Sequence, residues 1–484
     1  MTSRVDVTHA MARLPGVEHP AYAATMLFES RLAITSRELR ATIMLAGPLI
    51  GGQLCLIAGN VVDVVLAGHL GAHVLGAVAV GTSIWSFALV ALAGLMMAVP
   101  PTVAELDGSG RRHQAVPVFR HALVLAVAAG LVAWVVICWG GPLLVAALGL
   151  EPELTQNANA FLHAISFGAP ALGIYFAARG LSEGLGVTWP TMAFGVAGLI
   201  LLTPLGYVLM YGAFGIPGHG AFGSGLASAL VCWVVAAGYL AFVRFMPCYP
   251  GLSWRGADGR PDFAILMTLL RLGVPMAGSV LMEVSMFSVA GLMIGGLGDD
   301  AVASHQVALN LASVWFMVPL GVAFATTVRV GNAVGRGDAS GIRRAGLAGI
   351  GLALLAQTCS SAAMFGVPHS LAAIYTEDPA VLSGAIALLR LAAVFQIFDG
   401  LQVSANGALR GLKDTRAPLV ATAMAYWGFG IPLGWWLGLH GSLGARGVWV
   451  GLIAGLAMAA VLLLLRFDVL SRRLSARPAA LGRL

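Results

Sequence analysis

AAVFQIFDGLQVSANGALRGLKD, Ala392 to Asp414, decides how the chain is to be read. The run is apolar and long enough to cross a bilayer as a helix, yet it carries Asp399 midway, with Gln396 and Gln402 on either side. At about 100° per residue, Gln396, Asp399, Gln402 and Asn406 fall within an arc of about 120° on one helical face. The run closes on "RGLKDT" (Arg410–Thr415), and an earlier apolar run closes on "RGLSEG" (Arg179–Gly184). A polar stripe in lipid-length sequence, together with a repeated ending, points to a polytopic protein built from two related halves.

The composition agrees. Of the 484 residues, 59% are hydrophobic and 10% charged, against roughly 25% charged in soluble domains. The mean hydropathy is +0.89. Apolar runs broken by turn and charge signals predict twelve helices, at 41–68, 74–104, 117–147, 157–184, 191–212, 222–246, 265–296, 302–332, 342–371, 379–411, 418–439 and 446–467. The 63 glycines suit close helix packing in lipid. The five cysteines are scattered, form no CxxC, and read as packing residues without a disulfide framework or metal site. No cleavable signal peptide is evident in the first 40 residues.

Basic residues gather after alternate spans: Arg111 and Arg112, Arg179, Arg255 and Arg260, Arg336, Arg343 and Arg344, Arg410, Lys413 and Arg416, and the tail arginines. The opposite loops carry Glu151, Glu153, Asp299, Asp300, Glu377 and Asp378. The positive-inside rule then puts both termini in the cytoplasm. The formal charge of +6 reflects this topology and contact with anionic lipid, not nucleic acid. The halves also correspond in order. "LAGPLIGG" (Leu45–Gly52) pairs with "RLGVPMAGS" (Arg271–Ser279), "LDGSGRR" with "AVGRGDA", "RGLSEG" with "RGLKDT", and "TPLGY" (Thr203–Tyr207) with "IPLGW" (Ile431–Trp435). Six spans per half make the repeat parallel, with a central cavity between two lobes. The expected units are a cytoplasmic tail (1–40), an N-lobe (41–246), a cytoplasmic linker (247–264), a C-lobe (265–467) and a basic cytoplasmic tail (468–484).

Three acids lie well inside apolar spans: Asp63, Glu283 and Asp399. Facing lipid, each would cost roughly 2.5–3.5 kcal/mol, so each should face a cavity, stay protonated or hold a cation. Glu105 and Glu183 sit near span ends, where water or arginine can serve them. In the first span Gln53, Asn60 and Asp63 share an arc of about 80°. Ser279 stacks one turn from Glu283, Gln306 stacks on Asn310, and Phe395 lies one turn from Asp399. These polar stripes read as lining a shared interior, with interhelical hydrogen bonding as the alternative for Gln, Asn and Ser. Met286 and Phe287 join a Met-rich face suited to varied apolar ligands, or simply to packing. His305 is either hydrogen-bonded structure or a proton relay, and Arg390 either a counter-ion or a snorkelling side chain.

The stretches "NVVDVVLAGHLG", "GVPMAGSVLMEVSMF", "ASHQVALNLASVWFMVPLG", "VRVGNAVGRGD" and "FQIFDGLQVSANGALRGLKDTRAP" resemble the multidrug and toxic compound extrusion (MATE) family, and most of all its bacterial drug-efflux branch. The resemblance runs from about Leu39 to Leu470. It implies a secondary antiporter of the inner membrane, probed by small organic and often cationic compounds, that exports them as Na⁺ or H⁺ enters. It further implies that Asp63 is the N-lobe ion-site aspartate, and that Glu283 and Asp399 form the C-lobe cation site, a Na⁺ site if the protein is Na⁺-coupled. Two departures remove oxygen ligands. Phe395 stands where relatives often have tyrosine, and Leu202 and Gly206 stand where the fifth helix often supplies asparagines. Protonation of Asp63 stays open. The alternative function is a lipid-linked oligosaccharide flippase of the same superfamily, disfavoured by an interior expected to be acidic and neutral. "FGSG" (Phe222–Gly225) and the scattered histidines supply no catalytic nucleophile and base, so no enzyme is expected. The protein is expected to need no cofactor and to work as a monomer.

Overall fold

The computed structural model describes residues 20–249, 252 and 262–476, with side chains from Ser36 onward. Twelve helical spans run through it: α1 Pro20–Leu70, α2 Ala72–Gly108, α3 Ala115–Ala147, α4 Pro152–Gly184, α5 Trp189–Tyr211, α6 Gly220–Phe245, α7 Phe263–Gly295, α8 Asp299–Gly335, α9 Ala339–Gly366, α10 Pro379–Gly411, α11 Arg416–His440 and α12 Ala445–Ala476. A two-residue hairpin, Gly212–Ala213 with Ile216–Pro217, joins α5 to α6. The number of helical segments is the twelve expected from the hydropathy breaks; by length and composition ten of them can cross a membrane, and the bent α4 makes an eleventh.

Two spans are not single rods, and each has a local cause. In α4 the pieces Pro152–Ser166 and Ala169–Gly184 meet at 44°. Pro170 opens the second piece and has no backbone N–H to continue the ladder. In α11 the stretches Met424–Gly430 and Trp436–His440 are wound with i→i+5 hydrogen bonds around a short α-helical piece, Ile431–Trp435. The spacing of its glycines explains the packing. Gly430, Gly434 and Gly438 of α11 face Gly447, Gly451 and Gly455 of α12, with backbone against backbone.

The ends differ from the expected limits at α1 and α12. Helix α1 begins at Pro20, not near 41, and α12 reaches Ala476, past 467. A helix of 51 residues is about 76 Å long, more than twice the ~30 Å hydrocarbon core. About five turns in, Arg329 of α8, in the other lobe, donates to both the Glu38 carboxylate and the Thr42 hydroxyl. Most of the expected linker, 247–264, and the end of the C-terminal tail lie outside the described residues.

Each half has a core, and that of the first extends to Leu269 and Met276 of α7. Trp85, Phe119, Phe161 and Tyr239 anchor the first, and Phe395, Tyr426, Trp449 and Phe467 the second. The halves meet along α1 with α8, the end of α2 with α8, and α2 around Gly94 and Leu95 with Gly273 and Ala277 of α7. Ala46, Leu49, Val322, Ala325 and Ala353 form a small apolar cluster across that seam. Small side chains there bring the lobes close, and the cavity described next lies beside them.

Candidate functional site

Between the lobes lies a cavity of about 310 Å³, walled by α1, α2, α4, α7, α8 and α10. Its polar groups are Gln53, Arg179, Glu183, Glu283, Asn406 and Arg410. Arg179 is 5% exposed and forms an ion pair with Glu183, one turn on along α4. Its Nη1 donates to Oε1 of Gln53 (3.0 Å), and the Thr191 hydroxyl donates to Glu183 (3.3 Å). The Phe324 ring lies between the two guanidinium groups, 5.3 Å from Arg179 and 5.4 Å from Arg410. These are favourable cation–π contacts in a desolvated setting.

Glu283 lines this cavity and has Arg410 within electrostatic reach. Behind it lies Asp399, 3% exposed, whose Oδ1 has no hydrogen-bond partner. Gln402 stands beside Glu283, yet neither of its amide atoms is in hydrogen-bonding geometry. Tyr426 comes from the widened turn of α11, within reach of both Glu283 and Asp399, and its buried hydroxyl is also unpaired. Natively buried polar atoms are nearly always paired, so four unpaired atoms around two carboxylates stand out. They form a set of oxygen-bearing groups with room in their coordination.

Asp63 belongs elsewhere. It lines a separate N-lobe cavity of about 170 Å³ together with Asn60 and Leu202. Ser228 and Ser224 of α6 donate to its carboxylate at 3.3 and 3.5 Å. The expectation of one shared interior is therefore corrected: Asn60 and Asp63 face a pocket inside the N-lobe, while Gln53 on the same helix faces the interlobe cavity. An arc of about 80° is wide enough to serve two rooms. "FGSG" also gains a role, since its Ser224 is a hydrogen-bond donor to Asp63. Leu202 does stand in the wall of that pocket, and a side chain at Gly206 would press on Leu66.

Several expected lining residues prove to be packing. Gln396 is fully buried, accepts from Nε2 of Gln357 (2.5 Å) and donates to the Ala312 carbonyl (3.0 Å), so it ties α10 to α9 and α8. Met286 is fully buried in the C-lobe core. Phe287, Phe395 and Trp449 form an aromatic chain, and Trp449 donates its indole N–H to Nδ1 of His305 (3.2 Å). His305 is thus hydrogen-bonded structure. Gln306 and Asn310 are exposed, and the Asn310 amide donates to the Gln306 carbonyl (2.9 Å) along their own helix. Ser279 donates to the Pro275 carbonyl (3.0 Å) and lines a small crevice with Asn406 and Arg410. Arg390 is exposed and takes no part in the cavity.

Sequence reasoning missed three functional candidates. Arg179 and Arg410 read in sequence as topological charges at span ends, yet both are buried between the lobes. The repeated "RGLSEG" and "RGLKDT" carried the signal, since a repeat that keeps an arginine at one place calls for a structural reason. Tyr426 had no signal beyond its place in an apolar run.

Two six-span lobes packed about a polar cavity define a polytopic membrane transporter. The MatE family model matches residues 48–208 and 275–436, once in each lobe. A probable multidrug resistance protein NorM of Xanthomonas axonopodis pv. citri is 43% identical over 439 residues, covering 91% of this chain and 96% of that relative. Multidrug resistance protein PmpM of Pseudomonas aeruginosa is 39% identical over 442 residues, 90% and 92% of the two chains. Among solved structures, a multidrug resistance MATE family transporter in an outward-facing conformation superposes with a TM-score of 0.82 at 23% identity, covering 92% and 97%. The eukaryotic MATE transporter AtDTX14 gives 0.79 at 20%, covering 92% and 99%. The chain belongs to the MATE family, and is a transporter rather than an enzyme.

Proposed function

We infer that this protein exports small organic compounds, many of them cationic, in exchange for Na⁺ or H⁺ moving inward. The relatives' names as multidrug resistance proteins support the export of drugs. One structural observation carries the coupling. Glu283 and Asp399 lie within reach of each other, among unpaired polar atoms of Asp399, Gln402 and Tyr426. A desolvated carboxylate requires a counter-charge or a proton. Glu283 and Asp399 therefore hold Na⁺ or H⁺ when the drug is absent, and release it when a cationic drug enters the cavity beside Glu283. The oxygens of Gln402, Tyr426 and the two carboxylates are of the type a hard monovalent cation takes. They also fit a shared proton. The hydroxyl missing at Phe395 is supplied from another helix by Tyr426.

Asp63, hydrogen-bonded by Ser224 and Ser228, assists from the N-lobe by taking up a proton. Both termini face the cytoplasm of an inner membrane, and one chain suffices for transport. A flippase of lipid-linked oligosaccharides would favour a basic interior. Arg179 and Arg410 do line the cavity, but Glu183 and Glu283 line it too, so the site has no bias toward a polyanionic head group. In reconstituted vesicles under separately imposed Na⁺ and pH gradients, wild-type protein should drive efflux of a cationic dye with one of them. Asp399→Asn should abolish that gradient-driven efflux. Undiminished transport by this variant removes the coupling assignment.

A further inference from the structure

We propose that Arg410 selects for a negatively charged group on the transported compound, taking the carboxylate of zwitterionic substrates whose cationic end faces Glu283. The proposal rests on the efflux reading above and names a substrate class for the same cavity.

The argument begins from a broken symmetry. Arg179 and Arg410 occupy equivalent places in the repeat, at the heads of "RGLSEG" and "RGLKDT". Both lie against Phe324 at nearly the same distance. In the N-lobe the helix continues to Gly184, so Glu183 stays one turn from Arg179 and neutralises it. In the C-lobe the helix stops at Gly411, and Lys413 adopts a left-handed backbone (φ 57°). That turn carries Asp414, the repeat mate of Glu183, away from α10, where it pairs with Arg466 of α12 (2.7 Å). Arg410 thereby loses its partner.

Among the described residues no ion pair within 4 Å replaces it, although Phe324 lies against the guanidinium and Glu283 and Glu183 are within electrostatic reach. Among the described residues the Arg410 guanidinium makes one hydrogen bond, to the sulfur of Met97 (3.1 Å), and its Nε is unpaired. Glu283 shares the cavity but forms no ion pair with it. Arginine does not give up its proton in a protein, and a buried charge held only at a distance, without hydrogen-bonded anionic partners, has donors to spare for a ligand. A guanidinium is also the side chain best shaped to take a carboxylate through two parallel hydrogen bonds. Arg410 and Glu283 thus present separated, opposite charges to one cavity of about 310 Å³, the lower end of the usual size for a drug-sized ligand. A ligand with one cationic and one anionic end satisfies both.

The test compares tetramethylrhodamine, whose free carboxylate balances its delocalised cation, with its methyl ester, which is a cation of nearly the same shape. Fluorescence polarisation on the purified full chain gives the two affinities, and the readout is their acid-to-ester ratio. Arg410→Gln should lower this ratio by about tenfold or more, the loss of one charge-assisted pair. Arg410→Lys keeps the charge but loses the planar fork, and should lower the ratio only a few-fold. It also serves if the glutamine variant does not fold. Arg390→Gln, exposed and remote from the cavity, should leave the ratio unchanged. A ratio unmoved by both Arg410 variants overturns the proposal. So does wild-type binding of the ester without the acid, which leaves the efflux reading standing. Binding of neither dye removes the efflux reading itself, and this proposal with it.

Discussion

Arg179 and Glu183 illustrate how a charge is kept inside a membrane protein. Both side chains are almost fully buried, and Gln53 and Thr191 take up further hydrogen bonds. Breaking such a pair by removing one partner typically costs about 3–5 kcal/mol, because the other charge is left uncompensated. Glu183→Ala should therefore lower the unfolding temperature of the detergent-solubilised protein sharply. Asp414→Ala removes the corresponding acid of the repeat, but its partner Arg466 is 43% exposed, so the expected loss is about 0–1 kcal/mol. Equal losses from the two substitutions would mean that the burial of the first pair is not what makes it matter. At this scale the sequence was informative where a charge contradicted its surroundings. Asp63, Glu283 and Asp399 stood out because lipid-length apolar runs enclose them. Arg179 and Arg410 did not, since a basic residue at the end of a span looks like topology. Their burial comes from the opposite lobe, which no local pattern records.

At the scale of elements, hydropathy breaks suffice to count spans, because every buried backbone group in lipid must be satisfied within its own helix. They say little about how a helix is wound. The i→i+5 turns of α11 arise where its glycines meet those of α12, and that contact is set by packing between spans far apart from the turn signals. The same turns bring Tyr426 to the carboxylates, so the winding has consequences for the site. Gly451 and Gly428 offer a comparison. A side chain at Gly451 would run into the backbone of Gly430 and Gly434, whereas at Gly428 it would meet nothing within 4 Å. Gly451→Leu should destabilise by at least the 1–3 kcal/mol or so typical of overpacking, with Gly428→Leu close to neutral. Similar thermal shifts in the two variants would argue that α11 is not held by its glycine face. A contact of α1 carries the same lesson: the partner of Glu38 is Arg329, remote in sequence and in the other lobe.

At the scale of the whole molecule, ion pairs join the lobes on the face that carries the ends of the described chain. Glu38 of α1 meets Arg329 of α8 and Arg344 of α9, and Lys413, beyond α10, meets Glu105 of α2. On this face the helices also touch through glycines, Gly108 against Asn332 and Gly335 against Glu105, where no side chain could intervene. These contacts close the interlobe cavity toward the termini, and exposing it there requires them to part. Each pair is partly exposed, worth no more than about 1 kcal/mol on its own, but about 1.4 kcal/mol already shifts a two-state population tenfold. Neutralising Arg329 and Lys413 together to alanine should therefore populate the conformation open on this face. Spin labels at Arg111 and Arg336, exposed and one in each lobe, report on it in a background without the five native cysteines. The double variant should add a longer component to the distance distribution. High salt should do the same to wild-type protein, though less completely, because these pairs are partly shielded from solvent. A distribution that stays single and short in both would place the energetic barrier in the apolar seam of Ala46, Leu49, Val322 and Ala353 instead, with the charges only riding on a closure made by packing.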